Sequence, residues 1–169
     1  MPPRAVVIAG RKWYLFQRRE NCNCGADMKV EQLSIFLENK VGRLAEITTI
    51  LAQAGINIKA LSLADTSEFG ILRLIVDKSE EAQAALKEKN ITVGRTGVVA
   101  VGVPHTPGGL NNILQTLGKS GVNVEYMYGF PYQNAEAVMI FRFDRTEFAM
   151  EVLQNNGLRI FTSDDICKA

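Results

Sequence analysis

The chain is poor in the residues from which catalytic and metal sites are usually built. Among its 169 residues are one histidine (His105), one tryptophan and three cysteines (Cys22, Cys24 and Cys167). An odd cysteine count with no second closely spaced pair gives no disulfide framework, and a zinc site needs about four convergent ligands. Incidental thiols of a reduced, cytoplasmic chain fit this inventory better. No apolar run approaches the roughly 20 residues that span a bilayer, so no membrane association is expected. A glycine-rich phosphate loop and a nucleophile motif are also missing. An enzyme therefore fails on inventory, and no cofactor and no metal is expected.

Charge of one sign is scarce as well. The net charge is +1, unevenly spread. Arg4, Arg11, Lys12, Arg18 and Arg19 against Glu20 and Asp27 give residues 1–27 a charge of +3, which leaves −2 for the rest. A nucleic-acid binder carries a basic face on its folded part, so direct nucleic-acid binding is not expected. Residues 1–27 match nothing in the pattern described below, whereas Met28-Lys29-Val30-Glu31 opens directly into a patterned strand. That segment reads as a non-native extension or a disordered arm. The alternative is a short basic arm that touches phosphate or an acidic partner.

What the chain does have is a repeat. ENKVGRLAEITTILAQAGINI, Glu38 to Ile58, is answered 66 residues later by PHTPGGLNNILQTLGKSGVNV, Pro104 to Val124. Gly42 and Gly108, Leu44 and Leu110, Ile47 and Ile113, and Leu51 and Leu117 correspond. Both copies close on glycine, a β-branched residue, asparagine and a second β-branched residue: Gly55-Ile56-Asn57-Ile58 and Gly121-Val122-Asn123-Val124.

The periodicities place this repeat on secondary structure. Val30 to Leu37 passes from alternation into an apolar run, as a largely buried strand does. Leu44, Ile47, Ile50, Leu51 and Ala54 recur at helical spacing, and Gly55 ends the helix. Strands follow over 56–63 and 69–76, then a helix over 79–89 opened by Asp77 with Glu80, then a short strand at 91–93. The second half repeats this order. A strand covers 98–103, and Thr106-Pro107 reads as an N-cap before a first-turn proline. Strands over 122–128 and 137–143 follow, Asp144 with Glu147 opens a helix that Gly157 ends, and 158–161 is the last strand. Asp164-Asp165 reads as a solvated turn.

This order, with its loop–helix–strand signature, resembles the ACT domain, a small regulatory module that binds amino acids in many metabolic enzymes. The likeness covers about residues 28–166 in two tandem copies, as in stand-alone tandem-ACT proteins. It implies an α+β fold of two ferredoxin-like βαββαβ modules with antiparallel sheets, here 28–95 and 96–169. It also implies an effector site where two modules meet, built from the loop after the first strand, the start of the first helix and the second strand of a neighbour. One such loop holds Asn39, Val41, Gly42, Arg43 and Leu44, facing Asn123 and Val124. The other holds His105, Pro107, Gly108, Gly109 and Leu110, facing Asn57 and Ile58. Family members often show Asn, then Arg-Pro-Gly, in this loop. The first copy has Val41 in place of the proline and the second has His105 in place of the asparagine, so unequal affinities, or binding at one site, are both open.

Physical chemistry supports those residue types for a zwitterion. First-turn amides of a helix lack internal partners and point at an anion. Gly42 and Gly108 either let a ligand approach the backbone or only permit a tight loop or close helix–sheet packing. Asn57 and Asn123 offer a donor beside an acceptor, or else bond the local backbone where the chain leaves the helix. His105 donates to a carboxylate or is an exposed loop residue, and Arg43 pairs with an anion or solvates. Tyr126, Met127, Tyr128, Phe130 and Tyr132 divide between core and interface, or line an apolar pocket. The leading expectation is a non-catalytic sensor of a free amino acid, branched-chain or aromatic. It is expected to work as a homodimer alongside a partner enzyme or transcription regulator. The rival is an interaction module whose sites bind nothing.

Overall fold

A computed structural model describes residues 6–8, 11–13, 28–65, 68–131 and 136–167. Of residues 1–27 only two short strands are described, β1 (Val6–Ile8) and β2 (Arg11–Trp13), paired antiparallel. Cys22 and Cys24, Tyr132 and the 66–67 turn lie outside the described residues. The repeat gives β3 (Val30–Glu38), α1 (Arg43–Gln53), β4 (Ile58–Asp65), β5 (Phe69–Val76) and α2 (Ser79–Glu88). Then come β6 (Val93–Pro104), α3 (Gly109–Lys119), β7 (Val124–Pro131), β8 (Glu136–Phe143), α4 (Thr146–Asn155), β9 (Ile160–Phe161) and α5 (Ser163–Cys167).

Both halves have the ferredoxin-like strand order. The first runs β4-β5-β3-β6 and the second β7-β8-β6-β9, with every neighbour antiparallel. β6 belongs to both. Its Val93–Val98 half pairs with β3, and its Val99–Pro104 half pairs with β8. Two separate strands were expected here, ending at Val93 and beginning at Val98. Gly94, Arg95 and Gly97 interrupt the apolar alternation between them, so the pattern hides a strand whose ladder of backbone bonds runs on regardless.

Alternation along the strands sorts residues into three cores. Leu33, Ile35, Leu72 and Leu74 lie under Ile47 and Leu51 of α1 and Leu86 of α2. Val99, Val101, Phe141 and Phe143 lie under Ile113 and Leu117 of α3 and Leu153 of α4. Among the described residues the third core has no layer of long helices across it. Val30, Ala60 and Ile75 of the first half meet Val98, Ala100, Val138 and Ile140, with Tyr126, Tyr128 and Phe130 packed against them. The sheet curls around this core until its terminal strands, β4 and β7, come into contact. The helices of both modules sit outside the curl, and α5 adds Ile166 to the third core.

Local chemistry departs from the expected caps in an identical way in each copy. Asp77 accepts the Asn57 N–H at 2.9 Å through Oδ1, and the Asp77 N–H returns a bond to the Asn57 carbonyl at 3.1 Å. Asp144 and Asn123 make the same reciprocal pair, at 3.1 and 3.3 Å. These aspartates tie the second helix to the start of the second strand; the N-cap positions are Lys78 and Arg145. α3 starts at Gly109, not at Pro107, because Gly108 takes φ 88° just before it. Gly42 takes φ 89° before α1. A Cβ at either glycine would meet nothing within 4 Å, so backbone conformation, and not tight packing, requires them. Asp165 accepts from both the N–H and the hydroxyl of Thr162, whose Oγ1 accepts from the Asp165 N–H. This capping box makes α5 where a solvated turn was expected. Among the described residues no helix is long and apolar enough to cross a membrane, and no group of histidine, cysteine and acidic side chains converges as for a metal.

Two outcomes follow from this chemistry. Gly42→Ala and Gly108→Ala each force a Cβ into the left-handed region and are expected to cost about 1 to 2 kcal/mol. Gly109→Ala is expected to cost more, since its Cβ would run into the Pro104 carbonyl oxygen. Equal losses for all three in urea denaturation would defeat that account. The second concerns Tyr128, whose phenol burial pushes well above its ordinary pKa, with Tyr126 adding to the shift and Arg73 opposing it. A raised folded-state value means the contribution is complete below the ordinary pKa of about 10 and is lost as pH climbs toward the raised one. Wild-type unfolding free energy is expected to fall more steeply than that of Tyr128→Phe above about pH 10. Parallel pH curves for the two proteins would exclude it.

Candidate functional site

Each half places a loop between its first strand and first helix, and the two loops share a backbone. In the first, the Arg43 N–H bonds the Lys40 carbonyl at 3.3 Å and the Glu46 N–H bonds the Gly42 carbonyl at 2.9 Å. In the second, the Gly109 N–H bonds the Thr106 carbonyl and the Asn112 N–H the Gly108 carbonyl, both at 3.0 Å. Between these bonded positions lie the amides of Leu44 and Ala45, and of Leu110 and Asn111. They stand at a helix tip, where no preceding carbonyl of the helix is available and the dipole favours an anion.

The side chains around the two tips differ. At the second loop a cavity of about 390 Å³ opens between the loop and the strands beneath it. Val103, Leu110, Ala137 and Met139 give it an apolar floor, and His105, Thr106 and Pro107 form the rim. At the first loop a cavity of about 300 Å³ is bordered by Glu38, Asn39, Lys40, Glu68 and Phe69. Its polar groups are engaged with one another. Lys40 pairs with Glu38 at 2.7 Å and holds that carboxyl below its ordinary pKa. The Asn39 N–H donates to the Glu68 carbonyl at 2.9 Å. Arg43 reaches along its own helix to Glu46 at 2.6 Å, and Val41 projects fully into solvent.

The singled-out residues thus fall into three sets. His105, Pro107 and Leu110 line the second cavity, with Gly108 and Gly109 setting the helix tip beside it. Asn39 lines the first, while Gly42, Arg43 and Leu44 form the adjoining helix start. Asn57 and Asn123 line neither cavity. Both are exposed, and their backbones are held by Asp77 and Asp144. Ile58 and Val124, half-buried, pack against the first and second helix-covered cores.

Register explains the separation. β3 runs antiparallel to β6, so the first loop rises beside Val93 and the second follows Pro104 at the far end of the same strand. At about 3.3 Å per residue the loops stand roughly 40 Å apart. Ile58 pairs with Val76 and Val124 with Phe143, which sets both asparagines near the middle, roughly 20 Å along the sheet from either loop. The lone chain brings neither asparagine to a loop. The strand residues flooring the second cavity were not singled out from the sequence. Alternation marks Val103, Ala137 and Met139 as inward-facing but not as bordering an opening.

Comparison with known proteins accords with this geometry. Residues 28–169 match the family described as ACT domain pair. The crystal structure of protein BT0572 from Bacteroides thetaiotaomicron is similar at 41% identity and a TM-score of 0.80, covering 84% of this chain and 98% of that one. The ligand-free regulatory subunit of aspartate kinase from Thermus thermophilus shares 20% identity with a TM-score of 0.55, covering 77% and 94%. The corresponding subunit from Thermus flavus shares 15% with a TM-score of 0.53, covering 74% and 90%. At those identities the two subunits show the shared fold alone. Comparison with curated proteins gives no match. A family match over 142 consecutive residues, together with the doubled βαββαβ order and the paired glycine loops, shows that this chain belongs to the ACT domain pair family.

Proposed function

We propose that this protein is a non-catalytic, cytoplasmic sensor that binds a free amino acid at its ACT loops and passes that occupancy to a partner. The observation that carries this reading is the second cavity. A helix tip with outward amides faces a concave space of about 390 Å³ over an apolar floor. That volume lies within the usual range for small-molecule sites. The ligand carboxylate sits at the amides of Leu110 and Asn111, and its side chain lies against Val103, Ala137 and Met139. A branched-chain or aromatic amino acid suits that floor better than a charged one. The first cavity, with its Lys40–Glu38 pair, is the weaker site for such a ligand.

A homodimer belongs to the same proposal. Leu61 and Leu63 on the terminal strand β4 are 53% and 45% exposed, and a second copy covering them brings Asn57 and Asn123 toward loops they do not reach within one chain. The partner is a metabolic enzyme or a transcription regulator. Two of the similar folds are regulatory subunits of aspartate kinase, which makes a biosynthetic enzyme a reasonable first choice. A second reading, docking without ligand, draws on Phe36, Phe69 and Ile71. These form an exposed apolar cluster with the two phenylalanine rings stacked at 5.1 Å.

A thermal-shift screen against the twenty amino acids at millimolar concentration separates the readings. At a ligand concentration about 100 times Kd the stabilisation is about 2.7 kcal/mol, which raises the melting temperature by several degrees. Apolar amino acids are expected to give the shift, Ala137→Phe to abolish it by filling the floor, and Phe69→Ala to leave it intact. Silence with all twenty, alongside a partner complex indifferent to amino acids, would replace the sensor with a docking module.

A further inference from the structure

The third core holds one polar residue that the proposed function does not use. Gln32 is fully buried, at 0% exposure, inside the curl of the sheet. Its amide nitrogen donates to Ser34 Oγ at 3.0 Å and to Tyr126 OH at 2.9 Å, and its Oε1 accepts from Tyr128 OH at 3.0 Å. The Arg73 guanidinium closes the group from one side, 4.1 Å over the Tyr126 ring. Gln32, Ser34 and Arg73 belong to the first module, Tyr126 and Tyr128 to the second. Both amide hydrogens and one lone pair of the oxygen are thus engaged, two of the three bonds crossing between modules.

We propose that this amide–phenol group is an orientation latch that selects one packing of the two modules' inner faces over slid alternatives. The surrounding contacts, Val30, Ala60 and Ile75 against Val138, Ile140 and Phe161, are apolar and non-directional. A displacement by one strand repeat exchanges them for similar ones. It leaves the buried amide without its phenols, and that lowers the population of the slid state by roughly tenfold or more. The same residues contribute little to net stability, because an apolar group of similar shape fills the space without any desolvation cost. β6 brings the two inner faces together, but a strand can twist and bend, which leaves their packing angle a range that β6 alone does not narrow. The latch supplies the missing constraint.

The test compares wild type, Gln32→Leu and the triple variant Gln32→Leu, Tyr126→Phe, Tyr128→Phe by urea denaturation and hydrogen exchange. The single variant strands two phenols and is expected to lose stability. The triple variant, which removes the amide and both phenol hydroxyls and leaves only the half-buried Ser34 hydroxyl, is expected to regain a midpoint near that of wild type. Amides of β4 and β7, which meet across the third core, are nonetheless expected to exchange at least tenfold faster than in wild type, while those of α1 and α3 do not change. Wild-type exchange at β4 and β7 in the triple variant would overturn the latch. So would uniformly faster exchange throughout, or failure of the triple variant to fold, either of which would make the network an ordinary stabilising element.

Discussion

Every larger feature of this molecule depends on β6 being used on both edges and both faces. β3 and then β9 run along one edge, and β8 along the other. Val93, Val99, Val101 and Val103 face the helix-covered cores, while Val98 and Ala100 face the third. A module of about 66 residues is small for an independent core. Here neither module has a separate set of strands to begin with, because the strand that completes the first also begins the second. The separation of the loops, the curl of the sheet and the enclosure of Gln32 all follow from that sharing.

Much of this was legible in the sequence, for a definite reason. Helical spacing in Leu44, Ile47 and Leu51, answered by Leu110, Ile113 and Leu117, together with Gly55 and Gly121 as stops, encodes local structure. Local structure is what periodicity reports. The unread parts are those where an unlike signal did the same work. Gly94 and Gly97 look like a linker, yet their backbone groups continue the ladder. Asp77 and Asp144 look like caps, yet their carboxylates hold Asn57 and Asn123. Gln32 falls between the inward-facing Leu33 and the start of the strand, where alternation marks it as outward. That is correct for the helix-covered core, but it gives no warning that a second sheet face lies opposite. Alternation tells which residues share a face and not what covers that face.

The candidate site was legible in outline only. Gly42 and Gly108 are shared because the backbone conformation before each helix is shared, with φ of 89° and 88°. Conformation of that kind is written in single residues and survives duplication. The cavities are set by side chains from several strands, and these have diverged. Where the first copy has Phe36 and Phe69 exposed, the corresponding Gly102 and Glu136 lie together within the second module. Two loops with one backbone therefore present different surfaces, one of charged groups paired with one another and one over an open apolar floor.

That divergence bears on how occupancy of the second loop would be felt elsewhere. Met139 and Ala137 floor its cavity, whereas Val138 and Ile140, alternating with them on β8, sit in the third core. Successive residues of a strand point to opposite faces, so a ligand pressing on one face shifts the strand against the core on the other. β7 pairs with β8 through this stretch, Tyr128 opposite Ile140 and Phe130 opposite Val138, and carries the phenols that hold Gln32. Under the proposed function, then, the path from ligand to inter-module packing is one strand thick. Its output would be a change in how the modules sit, because the floor residues Val103 and Met139 belong to the second helix-covered core while Val138 and Ile140, on the other face of β8, belong to the core where the two modules meet. Coupling of this kind requires the ligand to bind the two packings unequally. The apolar floor meets that requirement wherever a shift of β8 changes the cavity's depth.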